Sequence, residues 1–97
     1  WQNVNTWIAD KAEGKTNLSV TLRNNGTETA YITVKLENSE AGSAKDTKVE
    51  LAAGEVKTVT LDYTNEAVML FFFIDSDWTE VTTTHSGDIT IAGIKFQ

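Results

Sequence analysis

The residues whose types could do chemistry gather late in the chain: Asp75, Asp77, His85, Ser86 and Asp88. A serine beside the only histidine, with carboxylates nearby, raises nucleophilic catalysis. That chemistry needs a hydroxyl, a base and an orienting group converging in one pocket. Adjacent residues of an extended segment face opposite sides, so His85 and Ser86, if extended, are not expected to form a base–nucleophile pair. Paired carboxylates roughly 5–10 Å apart could hydrolyse a glycoside. Here, however, the acidic residues fall mostly at turns and strand edges, and a chain of 97 residues offers little cleft. The expectation is no enzyme. One histidine and no cysteine leave no zinc set. Asp75, Asp77 and Asp88, with Glu80 nearby, carry the hard oxygens that calcium takes, but the run lacks the EF-hand glycine and third acidic position. They are the calcium candidates; no other cofactor is expected.

A second set of residues suits binding. Sugars present apolar C–H patches beside hydroxyls, so a sugar site combines exposed aromatic rings with a few placed polar groups. The chain has three tryptophans, Trp1, Trp7 and Trp78. Trp1, Asn3, Asn5 and Trp7 share one parity of a first extended segment, opposite Val4 and Ile8. Two indoles about 20 Å apart would then bracket a row of amides. Tyr31 is expected outward on the face that carries Lys35. Trp78 falls in an irregular polar stretch, where binding residues are often placed. The stacking candidates are therefore Trp7, Tyr31 and Trp78, with Asn5 and Arg23 as hydrogen-bonding partners.

The elements that must position these residues are strands. Leu18, Val20 and Leu22 alternate with Asn17, Ser19 and Thr21, the pattern of a half-buried strand. After Asn24-Asn25-Gly26, a turn signal, Ala30, Ile32, Val34 and Leu36 alternate with Tyr31, Thr33 and Lys35. Two such runs around a glycine-containing turn predict a hairpin. Residues 38–46 read as a loop, followed by a short strand over Lys48–Leu51 and a turn at Ala53-Gly54. Val59, Leu61 and Tyr63 oppose Thr58, Thr60 and Asp62 in the next strand. The run Ala67–Ile74 is apolar on both faces, the signature of a central strand covered on each side, and places Phe71, Phe72 and Phe73 in the core. Near the C-terminus, Ile89 and Ile91 have one parity and Ile94 and Phe96 the other. A bulge at Ala92-Gly93 would return all four to one face. Val4 and Ile8 are expected inward from the first strand. Short strands separated by frequent turn signals predict one all-β antiparallel sandwich domain of about eight strands.

Composition narrows the partners. A hydrophobic share of 40% supports a packed core rather than disorder. The net charge of −6, without a basic stripe, disfavours nucleic acid and anionic membranes. No apolar run is long enough for a spanning helix, so membrane insertion is not expected. Asn17-Leu18-Ser19 and Asn25-Gly26-Thr27 match the glycosylation sequon, a triplet that also arises by chance. The chain opens on Trp1 and reads as one domain excised from a larger multidomain protein.

The segments LSVTLRNNGTETAYITVKLEN, VELAAGEVKTVTLDY, LFFFIDS and SGDITIAGIKF resemble the later strands of galactose-binding-like β-sandwiches, in particular carbohydrate-binding modules of bacterial glycoside hydrolases. The resemblance covers about Leu18 to Phe96 and implies a jelly-roll fold, a polysaccharide or oligosaccharide ligand, a covalently linked catalytic domain, and a secreted or cell-surface location. In that group an aspartate often follows the second apolar residue of the closing strand; here Ala92 stands there. The sequence thus points to a non-catalytic carbohydrate-binding module. The alternative is a structural or protein-interaction sandwich domain of a secreted or surface protein.

Overall fold

The computed structural model describes residues 3–38, 43–62, 69–75 and 88–97. Seven strands lie among them: β1 Asn3–Trp7, β2 Asn17–Asn24, β3 Ala30–Asn38, β4 Ser43–Leu51, β5 Val56–Asp62, β6 Met69–Asp75 and β7 Ile89–Phe96. They form two antiparallel sheets, one ordered β1-β6-β3-β4 and the other β5-β2-β7. The fold is an all-β sandwich. Its buried core is built mainly from the inward parity of five strands: Leu18, Val20 and Leu22 of β2 and Leu61 of β5 on one side. Ala30, Ile32, Val34, Leu36, Val49, Leu51, Leu70 and Phe72 come from the other. Alternation in the sequence becomes alternation in burial, residue by residue, along β2 and β3.

The expected β2–β3 hairpin does not form. β2 pairs with β5 and β7, while β3 pairs with β4 and β6, so the Asn24–Gly26 corner carries the chain from one sheet to the other. The apolar faces of β2 and β3 are buried across the core from each other, while β5 and β7 pair with β2, and β4 and β6 with β3. The corner is organised by Asn24 rather than by a hairpin turn of positive φ. Asn24 occupies an inward position of β2 and is 1% exposed. Its Nδ2 donates to the carbonyls of Glu28 at 2.8 Å, Leu51 at 3.0 Å and Ala52 at 3.3 Å. Its Oδ1 accepts from the Gly26 amide at 2.9 Å. Its backbone N–H donates to the Glu55 carbonyl, and its own carbonyl accepts from Gly54. The turn at Ala53-Gly54 holds as expected. The Glu55 amide donates to the Ala52 carbonyl, and Gly54 takes φ 76°, a conformation that suits glycine.

Three further differences follow from long-range packing. β4 is nine residues long rather than a short strand at Lys48–Leu51, because it pairs with β3 from Ala30↔Leu51 to Asn38↔Ser43. It is an edge strand, and edges favour charge, here Lys45, Asp46, Lys48 and Glu50. That charge made its sequence read as a loop. A single helical turn, α1 Ala9–Ala12, follows β1 and buries Ala12 together with Ile8, four residues apart on one face.

The third difference is Val4. Ile8 is buried, as expected, but Val4 is 63% exposed. Its register partner is the buried Phe72, so its parity is inward. A four-strand sheet facing a three-strand sheet leaves one strand uncovered. The short turn from β4 to β5 sets those two edges together, so the overhanging strand is β1. Replacing Val4 by threonine is therefore expected to change the unfolding free energy by less than about 0.5 kcal/mol. A urea titration showing a loss on the scale of a buried valine would contradict this placement.

The closing strand has the expected bulge but not the expected burial of all four apolar residues. Ile89, Ile91 and Phe96 pack against the core, whereas Ile94, although of inward parity, is 38% exposed on this edge strand. Phe96, Ile94, Ile91 and Ile89 pair with Leu18, Val20, Leu22 and Asn24, and the register shifts between Thr21 and Leu22. Gly93 partners Thr21 and Ile91 partners Leu22, which leaves Ala92 as the extra residue of the bulge. Without it, half of the apolar residues of β7 would face away from the core.

Candidate functional site

The outward face of the four-strand sheet holds the candidate site. Antiparallel registers define its rows. Trp7, Met69, Glu37 and Ala44 lie side by side across β1, β6, β3 and β4. The next row holds Asn5, Phe71, Lys35 and Asp46, and the next Phe73, Thr33 and Lys48 beyond Asn3. Tyr31 and Glu50 follow in the row that Asp75 closes. The aromatic side chains run diagonally over this lattice, from Trp7 through Phe71 and Phe73 to Tyr31. With strands roughly 4.8 Å apart and alternate residues about 6.7 Å apart, the band spans roughly 20 Å.

Trp7 is 63% exposed, while Phe71, Phe73 and Tyr31 are half-buried by their neighbours on the face. The Phe71 and Phe73 rings stack with centroids 6.0 Å apart and planes 16° from parallel. Such pairs contribute on the order of 1 kcal/mol beyond area burial. Polar groups line both sides of the band: Asn5 beside Phe71 on one strand, Thr33 and Lys35 on the other. Lys35 Nζ lies 3.2 Å from Glu37 Oε2, which sets the ammonium along the sheet. The face therefore offers apolar ring surface flanked by amide, hydroxyl, ammonium and carboxylate groups.

The structure brings three of the five sequence candidates together. Trp7, Asn5 and Tyr31 share this face. Arg23 does not. It points outward from β2, between Val56 of β5 and Thr90 of β7, on the opposite side of the sandwich. Two packed sheets are about 10 Å apart, so Arg23 and Trp7 cannot reach one small ligand. Arg23 therefore does not join Trp7, Asn5 and Tyr31 in one site, contrary to the sequence expectation. Trp78 lies outside the described residues, as do Trp1, Asp77, Glu80, His85 and Ser86.

Of the calcium candidates, Asp75 ends β6 and Asp88 precedes β7. The Asp88 carbonyl accepts from the Asn25 amide at 2.8 Å, and its Oδ1 lies 3.4 Å from Asn25 Nδ2. Among the described residues, no three His, Asp or Glu side chains converge as a metal set.

Sequence reasoning placed Phe71 and Phe73 in the core; only Phe72, at 7% exposure, is buried there. Met69, Phe71 and Phe73 take the outward parity, and Leu70, Phe72 and Ile74 the inward one. A run that is apolar on both parities suits a strand covered twice, but it equally suits a strand whose second apolar face forms a surface band. Parity alone was the available signal: Phe71 and Phe73 alternate in step with the outward Trp7 and Asn5.

No family model matches this chain, and neither a curated protein nor a solved structure matches it.

Proposed function

We propose that this domain is a non-catalytic carbohydrate-binding module, and that the outward face of the β1-β6-β3-β4 sheet is its sugar platform. The observation that carries the reading is Trp7, a large indole left 63% exposed at the head of an aromatic band. A soluble protein exposes a contiguous aromatic patch mainly where something docks. The band crosses β1, β6 and β3, so it suits an extended polysaccharide or oligosaccharide lying across several strands. Three or four ring contacts with a few hydrogen bonds correspond to micromolar to millimolar affinity, about −4 to −8 kcal/mol. In a secreted or cell-surface parent, such a domain holds a covalently linked catalytic domain near its polymer by raising effective concentration. The strand patterns shared with galactose-binding-like modules support the same reading.

The test is affinity electrophoresis over a panel of neutral and acidic polysaccharides, followed by tryptophan fluorescence titration with any ligand that retards the protein. Retardation by at least one neutral glycan is expected. Because the chain carries a net charge of −6, acidic glycans are disfavoured. Retention by stacking is also expected to persist when salt is raised, since screening weakens only the ionic part. No retardation by any polysaccharide would end the proposal.

One observation favours a protein-interaction domain instead. Of the four edge strands among the described residues, β4, β5 and β7 carry lysines, whereas β1 has no charged residue and exposes Val4 on one face and Trp7 on the other. Uncharged edges are the ones that accept another strand. Concentration-dependent association in sedimentation experiments, lost when Thr6 is replaced by lysine, would favour that reading.

A further inference from the structure

We propose that Asn25 is a latent site of spontaneous deamidation, held shut in the folded chain by hydrogen bonds from two directions. Asn25 is exposed and is followed by Gly26, which has no Cβ to keep its backbone nitrogen away from the Asn25 side chain. In the reaction the Gly26 amide gives its proton to solvent, and its nitrogen attacks Asn25 Cγ. A new N–Cγ bond closes a five-membered succinimide. The Cγ–Nδ2 bond breaks, and the nitrogen takes up a proton and leaves as ammonia. Water then opens the ring at either carbonyl, leaving aspartate or isoaspartate. Overall the amide and one water become a carboxyl and ammonia, with no oxidation or reduction.

The fold restrains both partners of the first step. The Gly26 N–H donates to Asn24 Oδ1 at 2.9 Å, which opposes loss of its proton. Asn25 Nδ2 donates to Thr90 Oγ1 at 2.7 Å, and the Asn25 backbone N–H donates to the Asp88 carbonyl at 2.8 Å. These bonds tether the side chain and backbone of Asn25 to Asp88 and β7, which opposes rotation of Cγ into line with the Gly26 nitrogen. The same corner explains why the vulnerable dipeptide is there. A Cβ on residue 26 would sit 3.2 Å from Asn24 Oδ1, tighter than ordinary contact, so the arrangement around Asn24 favours glycine. Conversion would matter to the fold. An aspartate at 25 brings a carboxylate beside Asp88, and an isoaspartate lengthens the backbone between Asn24 and Gly26.

The experiment incubates the native protein, the urea-unfolded protein and the Thr90→Val variant at mildly alkaline pH. Trypsin cuts after Arg23 and Lys35, so the peptide from Asn24 to Lys35 reports the site by mass and isoaspartate content. Thr90→Val removes one restraint, and deamidation at residue 25 is expected to rise by about fivefold, the factor equivalent to one net hydrogen bond. Unfolding releases all three bonds and is expected to raise it by at least about 25-fold. A thermal scan shows that Thr90→Val is folded under the incubation conditions. Equal rates in native and unfolded protein would overturn the proposal, as would a folded Thr90→Val protein that deamidates no faster than wild type.

Discussion

Replacing Asn24 by alanine is expected to lower the unfolding free energy by about 3 kcal/mol, the scale for opening a buried hydrogen-bond network. The side chain is sealed at an inward position of β2, yet its amide is fully used. Truncation leaves the Leu51 and Glu28 carbonyls and the Gly26 amide without this partner, and it opens a small void among the leucines. For a domain of this size the thermal midpoint falls by roughly 12–24 °C. Asn24→Asp keeps the shape but turns an acceptor toward three carbonyls, so it is expected to lose at least as much. Asn25→Ala, one residue along and exposed, loses a surface bond to Thr90 and is expected to cost no more than about 1 kcal/mol. Urea and thermal unfolding of the three variants measure this. Similar small losses at 24 and 25 would show that Asn24 is not the pin of the corner.

Trp7→Ala carries the second large effect, on binding rather than stability. The indole lies mostly outside the fold, so its removal is expected to move the thermal midpoint by only a few degrees. On the proposed platform it is the most accessible ring, and truncating a stacked anchor is expected to weaken glycan binding at least about tenfold, or 1.4 kcal/mol. Affinity gels would then show retardation nearly abolished. Tyr31→Ala, at the far end of the band, is expected to act in the same direction but less, since Tyr31 is half-buried. Arg23→Ala provides the control. Because Arg23 projects from the opposite sheet, retardation is expected to stay unchanged. If Trp7→Ala binds like wild type while Arg23→Ala does not, the site lies on the other face.

Local patterning determined much of the strand content. Period two in Leu18–Leu22 and Ala30–Leu36 decided which side chains enter the core. The parity switch between Ile91 and Ile94 located the bulge at Ala92-Gly93. The outward parity of Trp7, Asn5 and Tyr31 was legible for the same reason: a side chain's face on a pleated strand is set by its neighbours in sequence. Strand partners were not legible. Asn24-Asn25-Gly26 suits a hairpin as well as a crossing between sheets. The choice depends on whether β2 gains more by pairing with β3 or by facing it across the core, with β5 and β7 supplying the hydrogen bonds. Nor could parity tell which strand overhangs or which apolar face lacks a second layer. That is why Val4 is exposed and why Phe71 and Phe73 join a surface band. Alternation is a property of adjacent residues, whereas coverage depends on how many strands each sheet recruits, and only the assembled tertiary structure decides that.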